Sequence, residues 1–329
     1  MLILTADDLR RAAPMEQAME AVASAFAELS SGQADLPLRL RLAVPPQEGL
    51  ALVMPAYLAE SGALGMKLLT IFPRNAAQPD LPTINALVLL FDAEYGLPLA
   101  LLEGGALTAL RTGAASGVAT RLLARPGARV LALFGAGAQA FDQAWAVCVA
   151  RQIERVWLVN RTPGRAEQLA ERLRSFGPPI PADVRVAASA REALGEAEVI
   201  CCATASPAPL FEDADLCSGA HLNGIGSYLP TMQEIPSATV VRARVFVDER
   251  RAALAEAGDL IVPREQGMMT EAQIAGELGE LVAGRVAGRT DHDQITLFKS
   301  VGLAAQDVAT AQMAYTRARA LGLGTEVRL

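Results

Sequence analysis

The chain has 329 residues, 52% of them hydrophobic and 20% charged, which supplies a large apolar core and excludes a disordered polypeptide. At roughly 150 residues per domain the length predicts two domains. The net charge of −7 argues against nucleic-acid binding, which needs a basic stripe against phosphates.

Taken in chain order, Met15, Met19, Val22, Phe26 and Leu29 recur at helical spacing and predict an amphipathic helix that Gly32 stops. Short apolar runs at 50–54, 64–72, 85–91 and 97–102 predict strands, with a hairpin loop at 92–96. A stretch rich in Gly and Ala at 104–124, closed by Pro126-Gly127, reads as a helix. From Ala128 the pattern alternates: strand 129–134, helix 136–151, strand 156–160 and helix 163–176, then strand candidates at 184–186, 199–204, 221–225 and 245–247. Such a βαβ rhythm predicts a Rossmann-type, doubly wound parallel sheet. The segment 302–321 is helical again and returns to the first, mixed α+β region. The expected domains are 1–120 plus 302–329, and 121–301 inserted between them.

Gly135-Ala136-Gly137-Ala138-Gln139-Ala140 follows an apolar strand and opens a helix, which fits the G-x-G-x-x-G/A dinucleotide fingerprint. Gly135 makes the turn, Gly137 leaves room for a pyrophosphate, and the helix N-terminus at Ala138 and Gln139 offers N–H donors to the anion. At the end of the second strand stands Asn160-Arg161-Thr162, with no carboxylate to repel a 2′-phosphate. Arg161 is placed to pair with that phosphate and Asn160 and Thr162 to donate to it, so NADP(H) is expected over NAD(H). Thr204, closing the strand 199–204, is expected beside the same cofactor.

Three cations are out of place in this acidic chain: Lys67 inside an apolar strand, Arg111 in a helix of small residues, and Arg41 in Leu38-Arg39-Leu40-Arg41-Leu42. A buried amine is costly unless paired, and an Arg fork matches a carboxylate, so the three suggest an anionic substrate. Their alternative is structural: Arg39 and Arg41 facing solvent and Lys67 snorkelling. Cys148, Cys201, Cys202 and Cys217 lack metal-ligand spacing and read as thiols of a reducing compartment, and His221 and His292 are too few for a His-ligated metal. No apolar run reaches the ~18 residues that span a bilayer. Asp7 and Asp8 interrupt the apolar start, so no signal peptide is expected and the location reads as cytoplasmic.

The chain resembles the ornithine cyclodeaminase/mu-crystallin family over nearly its whole length. The resemblance is carried by Val53-Met54-Pro55-Ala56, Gly65-Met66-Lys67, Leu110-Arg111-Thr112-Gly113-Ala114, the glycine fingerprint, Asn223-Gly224-Ile225-Gly226, Gly276-Glu277-Leu278 and 296–302. It implies a homodimer and assigns Arg41, Lys67 and Arg111 to a substrate carboxylate. Cyclodeaminases of this kind carry two acids whose places are taken here by Leu52 and Tyr228, and alanine dehydrogenase members share one of them. The Gly-Ser-Tyr-x-Pro version at 226–230, with Glu234 following, is more similar to the branch that reduces cyclic ketimine carboxylates. The resemblance therefore implies NADPH-dependent reduction of a small cyclic 2-imino acid, with Leu52 and Met54 excluding water. Any dedicated proton donor is unassigned, Tyr228 and Thr83 being the candidates. The rival expectations are a cyclodeaminase or amino-acid dehydrogenase, and a protein that binds NADPH and a small ligand without turnover.

Overall fold

Alternation along the central strands sets one face of the first sheet against helices and leaves the other apolar but less covered. The computed structural model describes residues 1–78 and 80–328; Pro79 and Leu329, both in the expected first domain, lie outside the described residues. The chain divides into two compact units, Met1–Arg111 with Leu303–Leu329, and Thr112–Gly302. The expected break at 120/121 thus moves to 111/112, inside the helix Gly104–Leu123, because that uninterrupted run of small residues carries no turn signal where the packing partners change.

In the first unit an eight-stranded sheet runs in the order Thr325–Glu326, Leu2–Leu4, Pro98–Glu103, Ile84–Phe91, Ala63–Ile71 and Gly49–Leu58. Ala34–Asp35 and Leu40–Val44 both pair with the last of these. Register places Met54, Lys67 and Val88 side by side. A one-residue slip would turn Lys67 to the opposite face, so the buried set Leu52, Met54, Ala56, Val88 and Leu90 fixes where the amine sits. That face packs on the helix Ala304–Leu321, which also packs on Met15–Ser30. The predicted stripe Met15, Met19, Val22 and Phe26 is buried, and Gly32 adopts φ 75° just beyond the helix.

In the second unit eight parallel strands run Asp183–Val186, Arg155–Val159, Val130–Phe134, Val199–Cys202, His221–Gly224, Thr296–Lys299, Arg244–Val247 and Ile274–Glu277. This is a Rossmann-type arrangement: strand order reverses between Val130–Phe134 and Val199–Cys202, the switch point where such sheets bind ligands. Two separate apolar clusters cover the sheet faces, which is why Val199–Cys202 is apolar throughout rather than alternating. The helix expected at 136–151 spans Ala140–Ala150, because the glycine turn occupies the first four positions. The strand expected at 199–204 ends at Cys202, where Ala203 and Thr204 leave the sheet. No helix among the described residues is long and apolar enough to cross a membrane.

Candidate active site

Lys67 and Arg111 come from a strand and a helix of the first unit, and a third element joins them. Asp307, in the first turn of the helix Ala304–Leu321, presents one oxygen to both. Lys67 Nζ lies 3.3 Å and Arg111 Nε 3.1 Å from Asp307 Oδ1. Arg111 Nη1 donates to Gln306 Oε1 at 2.9 Å, and that oxygen also accepts the Leu303 N–H. Lys67 is 5% exposed, Arg111 6% and Asp307 not at all. Burial pushes the Lys67 ammonium down to about 8. Asp307 opposes that fall, and the charges of Arg111 and Arg39 add to it. Two cations facing one carboxylate leave a buried excess of positive charge, which a small anion offsets. Asp307 Oδ2, Gln306 Nε2 and Thr310 Oγ1 are buried beside them and have no hydrogen-bond partner among the described residues.

The structure brings Lys67 and Arg111 together but leaves Arg41 out of the buried cluster. Arg41 pairs with Leu52 in register, which gives it the same sheet face as Lys67, yet it stands exposed on the edge strand Leu40–Val44. Arg39, half-buried, is the arginine of that segment whose charge reaches Lys67. Leu52 and Met54 are buried on the same face as Lys67. Thr83 is half-buried just before the strand Ile84–Phe91, whereas Tyr228 lies in the second unit and is 39% exposed. Asp307 and Gln306 escape sequence reasoning. Their only signal is a polar pair in an Ala-rich helix that is buried on most sides.

In the second unit Gly135 takes φ 104°, and a Cβ there would stand 2.5 Å from the Ala203 carbonyl, so only glycine turns the chain at this point. A Cβ at Gly137 would meet nothing within 4 Å, which leaves the backbone open to a ligand. The N–H groups of Gly137, Ala138 and Gln139 enter no backbone hydrogen bond among the described residues. Gln139 Oε1 is buried without a hydrogen-bond partner among the described residues. Turn, open backbone and free donors together fit a pyrophosphate. Beyond the strand Arg155–Val159, Asn160 Nδ2 donates to the Thr162 carbonyl at 2.8 Å, while Arg161 and Thr162 are exposed.

Thr204, expected beside the cofactor, is tied to Glu234. Its N–H and hydroxyl both donate to Glu234 Oε1, at 2.6 and 2.8 Å, and Glu234 Oε2 accepts from Gly226 and Ser227. A Cβ at Gly226 would fall 1.9 Å from the Thr204 carbonyl, so the loops after two neighbouring strands are in direct contact. Burial raises the Glu234 carboxyl and Lys299 counters it. Lys299 Nζ reaches Asp259 Oδ2 at 3.1 Å, and Asp259 Oδ1 accepts the Glu234 and Ile235 N–H groups. On the neighbouring strand end, Asp248 Oδ2 accepts from Ser300 Oγ, Val301 and Gly302. Buried carboxylates therefore brace the carboxyl ends of these strands.

Comparison with known proteins shows what the chain is similar to. The family model for the ornithine cyclodeaminase/mu-crystallin family matches residues 1–322. The chain is 40% identical over 329 residues to a Delta(1)-pyrroline-2-carboxylate reductase of Bacillus cereus, covering 99% of each. It is 34% identical over 309 residues to the ketimine reductase mu-crystallin of Mus musculus, covering 94% of this chain and 93% of that one. The structure of Thermococcus litoralis Delta(1)-pyrroline-2-carboxylate reductase in complex with NADH and L-proline superposes with a TM-score of 0.93 at 40% identity. That match covers 99% of this chain and all of the other.

Proposed function

The chain belongs to the ornithine cyclodeaminase/mu-crystallin family, and on that premise we propose that it is an NADPH-dependent reductase of small cyclic 2-imino acids such as Δ1-pyrroline-2-carboxylate and Δ1-piperideine-2-carboxylate. The single observation that carries this reading is the buried pair Lys67 and Arg111, sharing one carboxylate and left with excess positive charge. It is supported by the names of the Bacillus cereus and mouse relatives and by the proline held in the Thermococcus litoralis structure.

In this reading Lys67 and Arg111 take the substrate carboxylate, fixing the ring so that its imine carbon is held in one orientation. Leu52 and Met54 line the same sheet face and exclude water. Leu52 and Tyr228, standing where cyclodeaminases of the family carry acids, give no carboxylate to assist loss of ammonia, which favours reduction over cyclodeamination. The free N–H groups after Gly135 bind the pyrophosphate, and Arg161 pairs with the 2′-phosphate. The reduced nicotinamide, when bound, supplies the hydride that converts C=N to CH–NH. The cyclic iminium arrives protonated, so reduction needs no dedicated acid from the chain. A cytoplasmic location, where NADPH is maintained, and a homodimer complete the proposal.

The test is oxidation of NADPH by the purified protein. Both cyclic imines are expected to be turned over, while ornithine releases no ammonia and alanine reduces no NAD. Ammonia from ornithine, or tight NADPH binding with no turnover of either imine, contradicts the proposal.

A further inference from the structure

We infer that Asp307 is the positioning residue of the first-unit site, one of its oxygens bridging Lys67 Nζ and Arg111 Nε so that both cations are held within reach of a single carboxylate. The inference rests on the proposed function only for what is bound. The geometry stands by itself. Three elements far apart in the chain, the strand Ala63–Ile71 and the helices Gly104–Leu123 and Ala304–Leu321, meet at one oxygen, at 3.3 and 3.1 Å. Gln306, next to Asp307, fixes the other end of the Arg111 fork and is itself held by the Leu303 N–H. Two buried cations side by side repel and resist desolvation, and a neutral residue at 307 would leave both uncompensated.

Among the described residues, the charged groups that act most on Lys67 are Asp307, Arg111 and Arg39, the first negative and the other two positive. Burial already brings Lys67 down to about 8 against the pull of Asp307, so loss of Asp307 lowers it further. A lysine that gives up its proton more readily holds a carboxylate less well as pH rises. A purely structural ion pair would affect stability and leave the pH profile of turnover where it was.

Lys67 and Lys299 are the only lysines in the sequence, so protein labelled with 15N,13C-lysine gives two side-chain signals, with Lys299 as an internal reference for folding. In Asp307→Asn the Lys67 titration midpoint should fall by about one pH unit or more. The basic limb of kcat/KM for Δ1-pyrroline-2-carboxylate should fall with it, and KM at pH 7 should rise about tenfold with a smaller loss in kcat. Asp307→Glu should restore much of the midpoint. An unchanged Lys67 midpoint in a folded Asp307→Asn protein overturns the inference. If that variant does not fold, 13C-labelled aspartate in the unsubstituted protein decides: one carboxyl signal should move in step with Lys67, and no response overturns the inference. Should the midpoint shift while neither imine is reduced, the proposed substrate is wrong and the role of Asp307 stands.

Discussion

At the scale of single residues, chemistry in this protein is concentrated where charge is buried. Both lysines of the chain are almost fully enclosed and ion-paired, Lys67 with Asp307 and Lys299 with Asp259, although most of its cations are arginines at exposed or half-exposed positions. Arg161 is different, an exposed guanidinium whose proposed use is the 2′-phosphate. Arg161→Ala is expected to weaken NADPH binding roughly 10- to 100-fold, as loss of a charge-assisted contact does, and to leave NADH nearly unchanged. Equal losses for the two nucleotides, measured by fluorescence titration, would remove Arg161 from the account. Lys67 and Arg111 were legible in the sequence because a charge among apolar or small neighbours contradicts its surroundings. Asp307 was not, since its partners lie 240 and 196 residues away and nothing local marks a carboxylate near a helix start as buried. For Arg41 the sheet face was legible but not the exposure: alternation gives the face of a residue on an edge strand but not its cover.

At the scale of elements, the strand His221–Gly224 shows how the parallel sheet handles polar groups. His221 is fully buried, with Nδ1 3.0 Å from Thr296 Oγ1 and Nε2 3.2 Å from Asn223 Oδ1, and burial pushes it down to about 3. A histidine that must be neutral when folded contributes its full stability above the unfolded value of about 6.5, and that stability drains as pH falls towards 3. The urea midpoint should therefore drop between pH 7 and pH 4, with a few kcal/mol traceable to this residue, and His221→Gln should show a shallower slope. Parallel decline of the two proteins would place the acid sensitivity elsewhere. Most elements could be read from periodicity because long runs of one pattern leave little choice. Leu2–Leu4, Ile274–Glu277 and Thr296–Lys299 went unpredicted; strands of three or four residues carry too few positions to show a period, and partners across the sheet define them. The start of the helix Ala140–Ala150 was placed four residues early, since Ala and Gln favour helix while the glycine turn forbids it.

At the scale of the whole chain, each of two units of different architecture carries one part of the proposed function, the buried cations in the first and the open glycine turn in the second. The outer face of the first sheet has no such role. Leu40, Leu42 and Leu87 are exposed, and Val53, Met66 and Leu68 beside them are only partly covered. Such a patch marks an association surface, and the proposed homodimer would bury it. Sedimentation should give twice 34.6 kDa, and Leu42→Glu with Leu87→Glu should halve it. A 34.6 kDa species for the unsubstituted protein would contradict the dimer. The division into units was visible in the change from mixed runs to βαβ rhythm, but its edge inside a continuous helix was not.

The most direct test of the central claim is the NADPH oxidation assay run on Δ1-pyrroline-2-carboxylate and on the same ring without its carboxylate. Reduction of the acid, with kcat/KM at least about a hundredfold above that of the bare ring and most of that preference lost in Arg111→Ala, is the predicted result. Equal rates on the two rings, or a preference that survives loss of Arg111, would contradict it.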